Sequence, residues 1–93
     1  MDNKKTAEFV NDMWDNSIIP EISEYIKIPN KSPAFDPDWD EHGYMEQAVQ
    51  MLEAWSKQQP IEGMTVEIVR IEGRTPILFI DIPGASDDVV LLY

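Results

Sequence analysis

The residues Val89-Val90-Leu91-Leu92-Tyr93 decide the reading of the fold. Five β-branched or large apolar residues without alternation are the pattern of an interior strand, greasy on both faces. Such a strand needs a neighbour on each side and a helix layer above and below. Upstream, Ile77-Leu78-Phe79-Ile80 carries the same signature and predicts a second strand covered on both faces. Between them, Pro83-Gly84-Ala85-Ser86-Asp87-Asp88 is a turn-rich loop. The expectation is a chain that stops at the C-terminal tip of a central strand, and hence the opening part of a larger α/β domain. In open α/β sheets that tip borders the binding crevice, and catalytic residues tend to follow it. The competing reading is a complete small protein whose last strand lies at the centre of its own sheet.

Working outward, Met64, Val66 and Ile68 alternate with Thr65 and Glu67. The apolar phase then slips to Val69 and Ile71, which predicts a bulge or a two-sided strand. Gly73-Arg74 marks a tight turn. Strands are expected over about 64–72, 76–82 and 88–93. The first third reads as helix over about 4–28. Phe9, Val10, Met13, Trp14, Ile18, Ile19, Ile22, Tyr25 and Ile26 form one stripe at three- and four-residue steps. Asn3 or Thr6 is the expected cap, Pro20 forces a kink or a split, and Pro29 ends the segment. Residues 29–40 form a proline-stiffened loop, with Phe35 and Trp39 as anchors. A second helix is expected over about 41–58. Asp40 is its N-cap, and Tyr44, Met45, Ala48, Leu52 and Trp55 form its buried stripe.

Composition narrows the function without naming it. The chain has 93 residues, 7 basic and 18 acidic side chains, and a net charge of -11. Nucleic acid and anionic membrane are excluded as partners, because phosphates would be repelled. No apolar run is long enough to cross a bilayer. The chain contains no cysteine, which removes thiol chemistry, disulfides and Cys-ligated zinc. With no secretory signal behind Lys4 and Lys5, the expected location is cytoplasmic.

Several constellations carry residue types capable of chemistry. Asp36, Asp38 and Asp40 alternate as in a calcium loop. Glu41 stands where an EF-hand needs Gly, however, and Gln47 stands where it needs Glu. His42 with Glu46 one turn later is half a metal site without a third ligand. Ser17, Ser23, Ser32, Ser56 and Ser86 lack any nucleophile-elbow context. Asn30-Lys31-Ser32 fits a glycosylation sequon by chance, with Pro33 directly after. Trp14, Trp39 and Trp55 read as core residues rather than a stacking platform. The expectation is therefore that no catalytic, cofactor-binding or metal-binding residue lies within 1–93.

Glu21-Ile22-Ser23-Glu24-Tyr25-Ile26-Lys27-Ile28-Pro29-Asn30-Lys31-Ser32 resembles the end of the first helix and the following loop in the M20 family of zinc metallopeptidases. That family contains dipeptidases, glutamate-type carboxypeptidases and amino-acid deacylases. Pro33-Ala34-Phe35-Asp36-Pro37-Asp38-Trp39 is similar to the loop of a peptidase branch. The second helix, the hairpin and Asp87-Asp88-Val89-Val90-Leu91-Leu92-Tyr93 follow in the family's order. The resemblance spans nearly the whole chain and implies the N-terminal part of a zinc-exopeptidase-like α/β/α catalytic domain. It implies, for the parent protein, hydrolysis of peptide or N-acyl amide bonds in small substrates. Two zinc ions would activate a bridging water, and a Glu would take its proton. In the family a Gly-His-x-Asp motif follows the strand resembling 89–93, so every zinc ligand would lie after Tyr93 and none can be placed on this sequence. The family's sheet order also implies that a later strand separates 89–93 from the hairpin. The 88–93 strand would then be orphaned and open to self-association. Two other readings compete: a complete acidic interaction module pairing through its last strand, and a small enzyme built on Asp36, Asp38, Asp40 and His42.

Overall fold

The computed structural model describes all residues, Met1–Tyr93. It is a mixed helix and strand structure. The order is α1 (Asn3–Met13), a π-helical turn (Trp14–Ile18), α2 (Ile19–Tyr25), α3 (Trp39–His42), α4 (Tyr44–Lys57), β1 (Thr65–Val69) and β2 (Ile77–Asp81).

Asp2, rather than Asn3 or Thr6, caps the first helix. Its carboxylate accepts from the amides of Lys4 at 3.0 Å and Lys5 at 3.1 Å, filling orphan donors of the first turn. The interruption expected at Pro20 takes the form of the π turn. The Ile19 amide reaches back five residues to the Trp14 carbonyl. This wider turn meets a residue that has no N–H and whose ring crowds the carbonyl of Asn16. Regular helix ends at Tyr25, ahead of Ile28, whose backbone Pro29 biases toward extended geometry.

The second helix is not continuous over 41–58. Gly43, at φ 72°, adopts a left-handed conformation and separates the single turn α3 from α4. Asp40 consequently lies inside α3 and caps nothing. α4 is the best-covered element, and Ala48, Val49 and Ser56 are the three buried residues of the chain.

β1 and β2 pair antiparallel in continuous register, from Thr65 opposite Asp81 to Val69 opposite Ile77. No bulge occurs at Val69, and both strands are shorter than expected. The loop between them contains a turn closed by the Arg74 amide on the Ile71 carbonyl at 3.0 Å, with Gly73 at φ 76° supplying the positive angle. α4 packs against both strands, and Val66, Ile68 and Leu78 are half-buried. Ile77 and Phe79, on the opposite face, are 59% and 50% exposed. β2 is thus partly covered on one face, through Leu78, and open on the other.

The third strand expected over 88–93 does not form. The sheet has two strands, and no backbone bond ties 83–93 to either edge. Apolar character makes a segment strand-prone, but strand structure exists only where a neighbour supplies the ladder. Val89 through Tyr93 are exposed at 77% or more. The anchors also differ from expectation, since Phe35 is 81% exposed and only Trp39 is half-buried. Trp14 is half-exposed, so the three tryptophans do not form a common core. No helix is long and apolar enough to cross a membrane.

Candidate functional site

A cluster of paired polar side chains gathers where the proline-rich loop, the α3–α4 corner and the hairpin loop meet. Ser32 organises the proline-rich loop, because its carbonyl accepts from the amides of Phe35 at 2.9 Å and Asp36 at 3.0 Å. The Asn30 side-chain amide approaches the Met45 sulfur at 3.5 Å, tying the loop to the start of α4. These contacts fix the Asp36 carboxylate 2.7 Å from Nδ1 of His42. The Asp36 side chain is 15% exposed, and that of His42 47%. The Asp36 hydrogen bond pushes the His42 pKa above its ordinary 6.5; the charges of Asp36, Asp38 and Glu41 act in the same direction, while desolvation opposes them. The Tyr44 ring stands 5.8 Å from the imidazole, centre to centre.

Glu46, one turn into α4, faces another way. The Arg70 guanidinium donates to it through Nε at 3.4 Å and through Nη2, and Gln50 Nε2 donates at 2.9 Å. The Arg70 bonds hold the Glu46 carboxyl below its ordinary value, with Gln50 adding to the effect, and Glu46 in turn raises the Arg70 pKa. This pair links the hairpin loop to α4. Beside it lies a groove of about 230 Å³, lined among others by Trp39, Asp40, Arg70, Arg74 and Pro76.

The residues singled out in the sequence are therefore distributed rather than gathered. His42 and Glu46 have separate partners. Asp36, Asp38 and Asp40 do not converge, and no group of three or more His, Asp or Glu side chains is placed to share an ion. The Asp36 contact at Nδ1 is the outer-shell arrangement of a metal-ligating histidine and leaves Nε2 available, but no further His, Asp or Glu side chains are placed to share an ion with it. An Asp–His pair is also half of a nucleophile-activating relay, but no serine completes it. The Ser17 hydroxyl accepts from the Trp55 indole, Ser23 and Ser56 donate to helix carbonyls, and Ser86 bonds Asp88. The Arg70 clasp on Glu46 is invisible in the sequence, since it spans 24 positions. The pairing of His42 with an acid was legible from the carboxylates around it. The choice of Asp36 depends on the turn at Ser32. No protein-family model matches the chain, and a search of curated proteins returns no match.

Proposed function

We propose that the chain is the opening portion of the α/β/α catalytic domain of an M20-type zinc exopeptidase, acting on small peptides in the cytoplasm and inactive by itself. One observation carries the reading: the surface the chain leaves open. It exposes 7941 Å², where a folded monomer of 10.7 kDa is expected to expose about 5,500 Å². The excess is the size of a large permanent contact, and it includes segments the resemblance assigns to a layered sheet: the outer face of β2 and residues 89–93. The apolar stripe running from α1 into the π turn, with Phe9, Val10 and Trp14 at least half exposed, adds to it.

Expression of the whole reading frame tests the proposal, with zinc quantified and cleavage of dipeptides compared with that of N-acetyl amino acids. The full product is expected to hold two zinc ions and release free amino acids from dipeptides, while the 93-residue chain does neither. A stop codon directly after Tyr93, or stoichiometric zinc on the 93-residue chain, overturns the reading. Preference for N-acyl amino acids moves the protein to the deacylase branch.

The exposed, unpaired 89–93 segment also favours a second reading, an acidic interaction module that adds this segment as a strand to a basic partner or to a second copy. The natural product would then have the mass of this chain, which intact mass spectrometry of the native protein decides.

A further inference from the structure

We propose that Asp36 and His42 form a pH-operated clasp that fastens the proline-rich loop to α3 and holds Trp39 at the wall of the neighbouring groove. Trp39 lies inside the loop closed by the two side chains. Its amide donates to the Asp36 carbonyl at 3.1 Å, and its ring lines the groove. The carboxylate is largely shielded and already fixed through its own backbone, whereas the imidazole is open to solvent and free to exchange a proton. The contact is therefore built from one constant partner and one switching partner.

The physical basis of the switch is the asymmetry of the imidazole. As imidazolium, Nδ1 always carries a proton and meets the Asp36 oxygen as a charge-assisted donor. As neutral imidazole it splits between tautomers, and in the Nε2–H form a lone pair faces the carboxylate. The carboxylates around the ring favour the cation against the opposing desolvation, and the Tyr44 ring stands beside it. Asp36 lies on the loop, Asp38 at the head of α3, Glu41 within α3, and the Tyr44 ring on α4. The sign follows: while Asp36 is a carboxylate, the clasp is fully closed below pH 6.5 and loosens as pH rises through the higher value His42 has in the folded chain. The chain has no other histidine, so the His42 ring carbons report this transition without a second imidazole to confuse it.

Two-dimensional NMR of the 93-residue chain across pH 5 to 9 tests the clasp. It follows the His42 ring carbons, the Trp39 indole N–H and amide exchange over 30–42, corrected for intrinsic rates. The expected result is a His42 midpoint above 6.5, with the Trp39 signal and loop exchange moving on the same curve. Asp36→Asn is expected to bring the midpoint down toward 6.5. His42→Gln, which cannot titrate, is expected to flatten the loop response while leaving α4 exchange unchanged. A His42 midpoint at or below 6.5, a midpoint indifferent to Asp36→Asn, or loop exchange that ignores the titration overturns the proposal.

Discussion

Gly63, just ahead of β1, has a φ of +74°, and a Cβ built there would meet Pro83 Cγ at 2.8 Å. Gly43 shares the positive φ, but nothing stands within 4 Å of its would-be Cβ. The pair separates two costs that one glycine would confound. Gly43→Ala is expected to lose about 1 kcal/mol to the left-handed backbone alone. Gly63→Ala is expected to lose more, because Pro83 must also move. Urea midpoints measure both, and Pro83→Ala in the Gly63→Ala background is expected to recover the difference. Equal losses at the two glycines would show that Pro83 presses on nothing. At Glu46 the relevant variable is charge. Its carboxyl lies below the ordinary 4.5 because Arg70 donates to it. Whatever the pair contributes is therefore present above pH 4.5 and lost as pH falls through the lowered value. Arg70→Gln is expected to raise the Glu46 titration midpoint toward 4.5, read from side-chain carboxyl carbon shifts. An unmoved midpoint would mean that the guanidinium spends its time in solvent, as the half-exposure of both side chains allows.

Between elements, one side-chain hydrogen bond joins the first helical rod to α4. The Trp55 indole N–H donates to the Ser17 hydroxyl at 3.0 Å, partly buried. Ser17 lies in the π turn, so the irregularity beside Pro20 also carries the receptor for α4. Trp55→Phe and Ser17→Ala are each expected to cost about 1 kcal/mol, and the double variant little more than either alone. Chemical denaturation of the four proteins measures the coupling, and simple additivity would dissolve the link. Helix content was legible in the sequence because apolar residues at three- and four-residue steps leave little choice of period. The α3–α4 break was not, because Gly43 sits between good helical residues and only its φ separates them. The hairpin was legible through the alternation of Val66 and Ile68 and the turn signal at Gly73. The state of 88–93 was not, because Val89-Val90-Leu91-Leu92 specifies a readiness to pair while pairing itself depends on what lies alongside. The candidate site divides along the same line: His42 among carboxylates is a local fact, and Arg70 on Glu46 a tertiary one.

For the molecule as a whole, charge and shape pull against each other. The radius of gyration is 16.2 Å, against about 12 Å expected for a compact domain of this length, and the envelope measures 48 × 33 × 21 Å. With 18 acidic and 7 basic side chains, the chain repels itself and other copies, which disfavours burial of its open apolar surface. Salt weakens that repulsion without weakening the apolar attraction. Raising ionic strength from about 0.01 M to about 0.15 M shortens the screening length from about 30 Å to about 8 Å. Two consequences are expected together: a higher thermal midpoint and a shift to larger species in sedimentation. Attraction through Phe79 and Leu91 predicts that Phe79→Lys with Leu91→Lys removes the shift in sedimentation at the higher salt. The added lysines also reduce the net negative charge, so stronger repulsion between copies cannot explain a loss of association in this variant. If the variant associates as readily as the original, the contact surface lies elsewhere, and the α1 stripe around Phe9 and Val10 becomes the face to mutate next.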